Sequence, residues 1–212
     1  MIIAVDGTTA SGKGTISRRL AAWYGLPHMD TGRLYRATAV AALKAGVALD
    51  NAPRLAEIAA GLDLNSFNEA DLRTAEAGKA ASKVSALPAV RKALFELQRA
   101  FATQAGGALL DGRDIGTVIA PEADVKLWVD ADVEQRGYRR WRELLGFGED
   151  VTLEKVIQQL RERDQRDQNR PDAPAKMAAD AVLIDTTDLT IEAAVEKALA
   201  AVEAVLARGN RA

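Results

Sequence analysis

The chain contains 212 residues with a formal net charge of −2, and 48% of its residues are hydrophobic while 27% are charged. This composition can fill the core of one domain over residues 1–212, and it excludes both a strongly basic surface for nucleic acid and an apolar run of membrane-spanning length. With no cysteine and one histidine, the chain cannot form disulfides, thiolate metal sites or multi-histidine metal sites, and a reducing cytoplasm is the expected compartment.

The chain opens with a glycine-rich turn between a predicted strand and a predicted helix. Residues 2–5 are apolar and β-branched and predict a buried strand, which leaves no room for a signal peptide. Residues 16, 20 and 23 are apolar at helical spacing, and Gly25 is a suitable C-cap. This context is typical of a phosphate-binding loop, in which backbone N–H groups and Lys13 bind phosphate. A tight turn with a surface lysine is the alternative, since Gly14 stands where Ser or Thr usually holds magnesium.

The elements that follow alternate between helices and short apolar strands. Strands are predicted at residues 26–30, 108–110, 125–129 and 181–184, and residues 62–64 form at best a strand stub. Helices are predicted at residues 31–43, with Thr31 as the N-cap, and at residues 52–60, 69–84, 88–101 and 191–209. The expected buried stripes are Val90, Leu94, Leu97 and Phe101 in one helix and Ile191, Val195, Leu199 and Val202 in the last. The alternation predicts an α/β fold with a mainly parallel sheet covered on both faces.

Polar side chains follow several of these strands at the point where the strands end. They are Asp6, Asp30, Asp130 and the three charged residues within 111–114. Since ligands bind beyond the carboxyl ends of parallel strands, these side chains indicate a site beside the glycine-rich turn. Asp and Gly also favour turns, so Asp30 and Asp130 have that plainer interpretation as well. His28, next to Pro27, is expected to be a partly exposed imidazole.

The segment at residues 136–170 is rich in arginine mixed with acidic residues, a pattern usual for a solvated helical face. One helical face, however, begins with the apolar stripe Leu153, Val156, Ile157 and Leu160 and continues into Arg163, Asp167 and Arg170. This change predicts a helix whose far end leaves the core and lines a cleft for an anion. Arginine suits phosphate because its guanidinium group keeps its charge and donates paired hydrogen bonds.

Several motifs together resemble bacterial cytidylate kinases, within the wider group of nucleoside monophosphate kinases. They are the Gly-Lys-Gly-Thr of the phosphate loop, Asp30-Thr31-Gly32 with Tyr35-Arg36, Val90-Arg91 with Leu94, the Asp-Gly-Arg-Asp-Ile-Gly-Thr stretch at 111–117, and Arg163-Asp164 with Arg166-Asp167 and Arg170. The resemblance implies a P-loop kinase fold with a five-stranded parallel sheet, a monophosphate-binding insert at residues 47–87 and a helical lid at residues 137–170. It implies transfer of phosphate from ATP to CMP or dCMP with Mg²⁺, in a cytoplasmic monomer that binds neither nucleic acid nor membrane.

The resemblance also implies roles for individual residues. The catalytic residues would be Lys13, Arg113 and Arg163. ATP would be bound by Gly7, Thr8, Thr9, Ala10, Ser11, Gly12, Lys13, Gly14 and Thr15, and magnesium would enter with ATP near Thr15 and Asp111, without a metal site made by protein alone. CMP would contact Thr31, Arg36, Ser82, Arg91, Arg113, Asp114, Arg163, Asp167 and Arg170, while Arg136, Arg139 and Arg140 would lie near the lid hinge. Among these, Ser82, Arg91 and Asp114 would contact cytosine, whose exocyclic amine is a donor that suits a carboxylate.

The insert departs from the family pattern, which usually includes a small three-stranded sheet. Residues 62–81 lack an alternating β-branched run, so we expect helices there, and the placement of Ser82 stays open. Two other functions also stay open: another small-molecule kinase of this fold, such as an adenylate or shikimate kinase, and a nucleotide-dependent switch without catalysis. Residues 82, 91 and 114 argue against the first. The dispersed arginines argue against the second, since transition-state arginines contribute to rate more than to binding.

Overall fold

The fold is built on a parallel β-sheet. The computed structural model describes residues 1–209 of the chain. The strands are β1 (Ile2–Gly7), β2 (His28–Asp30), β3 (Ala108–Gly112), β4 (Val125–Asp130) and β5 (Val182–Asp185). Within the described residues these five strands form one sheet in the order β2-β3-β1-β4-β5, and each neighbouring pair is parallel. The predicted α/β architecture is confirmed.

Helices form most of the connections between the strands. They are α1 (Lys13–Tyr24), α2 (Thr31–Lys44), α3 (Ala52–Ala60), α4 (Glu69–Arg73), α5 (Ala75–Val84), α6 (Pro88–Ala102), α7 (Val133–Gly146), α8 (Leu153–Asn169) and α9 (Ile191–Gly209). A 3₁₀ helix at Leu64–Ser66 and a π-helical turn at Ile115–Ile119 complete the elements. Among residues 1–209, no helix combines the length and apolar character needed to cross a lipid bilayer.

The strand register places the polar strand ends along one edge of the sheet. Asp6 of β1 lies opposite Gly112 of β3 and Trp128 of β4. Asp30 of β2 lies opposite Asp111 of β3. The residues that follow these strands therefore meet at the same edge, where parallel sheets bind their ligands.

Helices cover both faces of this sheet. On one face, α1 and α9 pack on β1 and β4 around Leu20 and Leu127. On the other face, α6 and the π-helical turn pack on β3 around Leu110 and Ile119. A separate apolar cluster joins α2, α3, α5 and α6 around Leu55, so the helices of residues 47–87 share a core with α2 and α6.

The region proposed as the insert is helical in the structure. It contains α3, α4, α5 and the 3₁₀ helix, and no strand of the described residues lies between Gly61 and Ser82. The prediction of helices is thus confirmed, although the helix predicted at residues 69–84 is divided at Thr74 into α4 and α5. The strand stub at residues 62–64 is wrong. Asp63 Oδ1 accepts from Asn65 N at 3.0 Å, and the Ser66 hydroxyl donates to Asp63 O at 2.7 Å. These local hydrogen bonds favour a turn over an extended strand.

Two predicted buried stripes differ from the observed ones. In α6, Leu97 is 49% exposed, while Gln98 is buried and donates to Leu94 O at 3.0 Å. In α9, Ile191 is 56% exposed, and the buried positions are Ala194, Ala198 and Val202. Buried positions repeat every fourth residue in both helices, at Leu94, Gln98 and Ala102 in α6 and at Ala194, Ala198 and Val202 in α9. These faces include small or polar side chains, which a search for large apolar residues does not select.

Candidate active site

The glycine-rich turn forms an open loop between β1 and α1. Gly7 has no room for a side chain, because a Cβ there would lie 1.9 Å from Val129 O. Gly12 adopts a left-handed φ of 90° just before α1, whose first residues are Lys13 and Gly14. N–H groups in the first turn of a helix lack intrahelical acceptors and attract anions. The loop therefore presents backbone donors and the Lys13 side chain at the edge of the sheet.

Hydrogen bonds from other segments hold this loop in place. The Thr8 hydroxyl donates to Asp130 Oδ1 at 2.6 Å, and the Thr186 hydroxyl donates to Ser11 O at 2.8 Å. Arg139 in turn donates to Thr186 O at 2.6 Å. Asp130 therefore supports the loop as well as ending β4. A loop that is already ordered loses less conformational freedom when a ligand binds.

A cleft of about 310 Å³ lies in front of the loop and collects most of the predicted site residues. Its lining includes residues 9–15 of the loop together with Thr31, Arg36, Arg91, Arg113, Asp114, Arg163, Asp167 and Arg170. Gly7, which ends β1, and Thr8 are not among the residues that line the cleft. The structure therefore brings the glycine-rich loop, arginines and carboxylates together in one cleft.

Lys13 lies where positive charge is concentrated. Burial of the ammonium group and the charge of Arg113 lower the pKa of Lys13 to about 7, although Asp111 and Asp30 act in the opposite direction. A phosphate group beside Lys13 would favour the protonated amine again. The site therefore gains electrostatic stability when an anion binds to the loop.

At the start of α2, the capping residue is Asp30, so the prediction of Thr31 as the N-cap is wrong. Asp30 Oδ1 accepts from Arg33 N at 3.1 Å, and its Oδ2 accepts from Arg36 at 2.6 Å. Thr31 instead donates its hydroxyl to Asp111 O at 2.8 Å, which ties α2 to β3. Burial would raise the pKa of Asp30, but Arg36 holds it below its ordinary value. Arg36 is thereby fixed at the entrance of the cleft.

His28 has a partner that the sequence does not reveal. Its Nε2 lies 2.7 Å from Oδ2 of Asp111, whose side chain is buried at the end of β3. The pair joins the ends of β2 and β3 and orients the carboxylate of Asp111. The expectation of a partly exposed imidazole holds, with 18% of the side chain exposed, but it misses this role. Over residues 1–209, no group of three or more His, Asp or Glu side chains is arranged to hold a metal ion.

Two arginines share one carboxylate at the wall of the cleft next to the loop. Arg113 donates from Nε to Asp167 at 3.2 Å and from a terminal nitrogen to the Thr9 hydroxyl at 2.6 Å. Arg163 Nε lies 3.8 Å from the same carboxylate. Burial and the charge of Arg113 lower the pKa of Arg163 to about 10, so it stays charged at neutral pH. Asp167 therefore positions two guanidinium groups while leaving a net positive charge beside the loop.

On the far side of the cleft, Asp114 lies between two other arginines. It accepts from Arg91 and, at 3.3 Å, from Arg170, and each of the three side chains is 9% exposed or less. Arg91 also contacts the Tyr35 hydroxyl at 3.3 Å. An ionised carboxylate has about four acceptor positions. Asp114 can therefore accept a further donor from a ligand while it holds both arginines.

The face of α8 that changes from apolar to charged points into the cleft. Leu160 is buried, and Asp167 further along the helix is buried among arginines. Arg136 of α7 connects this helix to the phosphate loop, since it pairs with Asp164 at 2.7 Å and donates to Thr9 O at 3.3 Å. These contacts do not fit the alternative of a solvated helical face.

Ser82 is a predicted site residue that the structure does not bring to the cleft. Its hydroxyl accepts from Arg166 Nε at 3.3 Å and faces the groove between α5 and α8. The wall of the cleft is formed instead by Gly78, Ala81 and Ser85 of the same segment, which repeat at helical spacing. Ser82 lies one position further round the helix from Ala81, towards α8.

A second cavity, of about 490 Å³, adjoins the outer side of the phosphate loop and is not indicated by any of the sequence motifs. It is lined by Gly12 and Thr15 of the loop, by Arg139, and by Leu189 and Ile191 after β5. The available signal is the apolar pair Leu189 and Ile191 just beyond a strand end. The sequence pattern assigned Ile191 to a buried stripe of α9 instead. The apolar surface beside an arginine suits a flat aromatic ligand.

Comparison with known proteins identifies a family. The family model described as cytidylate kinase matches residues 3–204 of the chain. A relative from Xanthobacter autotrophicus named cytidylate kinase is 55% identical and covers 96% of this chain and 98% of its own length. A relative from Bradyrhizobium sp. with the same name is 53% identical over 100% of both chains. One from Caulobacter vibrioides is 50% identical and covers 98% of this chain and 97% of its own length.

Solved structures share the fold at much lower sequence identity. An uncharacterised protein from Eubacterium ventriosum matches with a TM-score of 0.55 and 14% identity, covering 96% of this chain and 98% of that one. A gluconokinase from Sinorhizobium meliloti matches with a TM-score of 0.51 and 14% identity, covering 96% and 92%. These likenesses show the fold alone. The family match over nearly the whole chain and the close curated relatives show that this protein belongs to the cytidylate kinase family.

Proposed function

We propose that this protein transfers the γ-phosphoryl group of ATP to CMP and dCMP, which yields ADP and CDP or dCDP. The observation that supports this most directly is that Lys13 in the phosphate loop and Asp114 line the same cleft. A donor bound at the loop and an acceptor whose base contacts Asp114 would meet within one cavity. The relatives named cytidylate kinase support the same assignment.

ATP occupies the phosphate loop and the second cavity in this proposal. Residues 9–15 bind its phosphates through backbone N–H groups and Lys13, while the N–H group of Thr8 already donates to Val129 O at 3.3 Å. The adenine ring fits the cavity of about 490 Å³, where Leu189 and Ile191 offer apolar surface and Arg139 offers a planar cation. Because this cavity adjoins Gly12 and Thr15, the base and the phosphates of one nucleotide occupy neighbouring sites.

The acceptor occupies the opposite side of the cleft. Asp114 accepts a hydrogen bond from the exocyclic amine of cytosine, and Arg91 donates to an acceptor of the base. Uracil presents a carbonyl where cytosine has the amine, so it would place an acceptor against the carboxylate. Arg36 and Arg113 bind the monophosphate, and Asp167 accepts from a ribose hydroxyl. Ser82 is left out of this set because it faces α8.

The reaction is a direct in-line transfer. An oxygen of the CMP phosphate attacks the γ-phosphorus of ATP, and the bond between that phosphorus and the bridging oxygen of ADP breaks. Lys13, Arg113 and Arg163 neutralise the charge of the group in transit, which is the main requirement of phosphoryl transfer. Asp167 holds both arginines before the reaction, so the protein needs little reorganisation during it.

Magnesium fits the oxygen donors at the floor of the cleft. Asp111 offers a carboxylate oriented by His28, and Thr15 offers a hydroxyl within the loop. Mg²⁺ is usually bound by one or two carboxylates together with the phosphates of the substrate, so these two residues would hold it once ATP is present. When bound, the ion would neutralise charge on the outer phosphates.

Residues 47–87 and 137–170 would act as the insert and the lid that enclose the nucleotides. Contacts join the two regions, since Arg140 donates to Arg73 O at 3.2 Å and Glu149 accepts from Ala75 N at 2.7 Å. Enclosure would exclude water from the transferred phosphate. We further propose that the enzyme acts as a monomer in the cytoplasm, because one chain supplies every residue assigned here and no residue is a cysteine.

A coupled assay of ADP release, with and without CMP, tests the proposed function. We expect release that depends on CMP, whereas a nucleotide switch without catalysis would release none under either condition. Lys13→Met should lower the rate by at least ~10²-fold, as expected for a preorganised charge at the transition state. Lys44→Met serves as the control, because Lys44 is exposed and its ammonium faces Asp71 outside the cleft. Equal rates for the two variants would contradict the assignment of Lys13.

A further inference from the structure

Asp6 is a buried carboxylate that the proposed chemistry does not use. It is the next-to-last residue of β1, is 4% exposed and lies outside the lining of the cleft. Its two oxygens accept from the backbone N–H groups of Ile115 and Gly116, each at 2.8 Å. Burial raises the pKa of Asp6 to about 7, although both of these hydrogen bonds lower it. Burying a carboxylate costs free energy unless hydrogen bonds compensate for it, so the hydrogen-bond partners of Asp6 indicate its role.

Those partners begin the π-helical turn that follows the acceptor-binding residues. Asp114 occupies the N-cap position of this turn, yet its side chain makes no capping hydrogen bond because it points to two arginines. The first N–H groups of a helical turn need acceptors from elsewhere. Asp6 supplies them from another strand, which leaves the carboxylate of Asp114 available to the cleft.

The segment that contains this turn is closely packed at two glycines. A Cβ on Gly116 would lie 3.1 Å from the Lys126 side chain of β4 and 3.5 Å from Asp6. A Cβ on Gly112, at the other end of the segment, would lie 2.7 Å from the Thr31 hydroxyl. Arg113 and Asp114 lie between these two closely packed glycines and are therefore held from both sides.

We propose that Asp6 is a positioning residue for the acceptor nucleotide: by capping Ile115 and Gly116 it fixes where Arg113 and Asp114 stand in the cleft. This inference rests on the proposed function, because that function assigns Asp114 to cytosine. Asp6 directly precedes the phosphate loop in the chain, but both of its hydrogen bonds go to the acceptor side. Its loss should therefore affect the use of CMP more than the use of ATP.

Asp6→Asn tests the proposal, because the amide can accept from one N–H group but turns its own NH₂ against the other. We expect the KM for CMP to rise roughly 10-fold or more, the scale of one buried donor left unpaired. We expect the KM for ATP to change by less than about twofold and the ratio of kcat/KM between CMP and UMP to fall. Asp124→Asn is the control for loss of a carboxylate that accepts from a backbone N–H group, since the exposed Asp124 accepts from Ile2 N at 2.7 Å at the opposite end of β1.

A measurement that does not depend on turnover accompanies the kinetics. Amide hydrogen exchange of residues 113–117, followed by mass spectrometry, should be faster in Asp6→Asn than in the wild type and unchanged in Asp124→Asn. If the wild type fails to phosphorylate CMP, the proposed function is wrong, while faster exchange in Asp6→Asn would still support the capping role. If Asp6→Asn does not fold, Asp6→Ser replaces it, because a hydroxyl can accept from one N–H group without opposing the other.

Two results would overturn the proposal. One is a rise in the KM for ATP equal to that for CMP, which would mean that Asp6 supports the phosphate loop or the fold in general. The other is an unchanged KM for CMP and unchanged exchange at residues 113–117 in the Asn or Ser variant.

Discussion

Asp114→Asn is the substitution for which the structure predicts two separate effects. The carboxylate is the shared partner of Arg91 and Arg170, and all three side chains are buried. The asparagine amide has no charge, so the two guanidinium groups would face each other with little compensation. Removing one partner of a buried ion pair costs roughly 3–5 kcal/mol of unfolding free energy. For a chain of this size, that corresponds to a drop in Tm of roughly 6–20 °C.

The second effect concerns the choice of base. Asparagine can turn either its carbonyl or its NH₂ towards the ligand, so it can donate to uracil as well as accept from cytosine. We expect kcat/KM for CMP to fall and that for UMP to fall less. The ratio of kcat/KM for CMP to kcat/KM for UMP should decrease by a factor on the order of 10 or more, because the uracil carbonyl would no longer face a carboxylate.

Thermal unfolding followed by tryptophan fluorescence, and steady-state kinetics with CMP and UMP below the Tm, measure the two effects. Asp172→Asn is the control, because Asp172 Oδ2 lies 3.6 Å from the same Arg91 but its side chain is 54% exposed. An exposed pair of this kind contributes about 1 kcal/mol or less. Both proposed roles of Asp114 are excluded if Asp114→Asn is as stable as Asp172→Asn and its preference for CMP over UMP is that of the wild type.

Three further predictions concern α8 and the phosphate loop. Leu160→Ala should lower the unfolding free energy by roughly 2–5 kcal/mol because the side chain is buried. Arg163→Ala should keep the Tm near the wild-type value while lowering kcat/KM by ~10²-fold or more. Denaturant unfolding together with steady-state kinetics distinguishes the effects of the two variants. An Arg163→Ala variant with wild-type kinetics would contradict the catalytic role of Arg163. ATP binding at pH 8 should take up protons through Lys13, whose pKa is lowered to about 7. At pH 6 the amine is already protonated, so the uptake should be smaller, and ATP affinity should weaken as pH rises above 7. Calorimetry in two buffers of different ionisation enthalpy measures the uptake, and equal uptake in Lys13→Met would exclude Lys13 as its source.

The phosphate loop could be predicted from sequence because its determinants are adjacent in the chain. Gly12 and Lys13 follow a strand and open a helix, so local conformation alone specifies an anion site. The charged end of α8 could also be predicted, since helical periodicity places Arg163 and Asp167 on the face begun by Leu160.

Other features depend on contacts between distant segments. The contact between His28 and Asp111 depends on the pairing of β2 with β3, in which His28 lies opposite Leu109, two residues before Asp111, and no local pattern encodes this pairing. Asp30 and Thr31 are both good N-cap residues, and Thr31 is excluded because its hydroxyl is used by Asp111 O. Whether Ser82 faces the cleft or α8 depends on the rotation of α5 about its own axis. The sequence of residues 47–87 contains no pattern that predicts this rotation.

In the proposed function, the cleft selects CMP as the acceptor of phosphate from ATP. A competition experiment tests it directly: the enzyme receives ATP with equal concentrations of CMP, dCMP, UMP and AMP, and the diphosphate products are separated by ion-exchange chromatography. We expect CDP and dCDP to form first, UDP to form much more slowly, and no ADP beyond the amount that matches the diphosphates produced. Formation of UDP faster than CDP, or consumption of AMP in preference to CMP, would contradict the proposed selection of CMP.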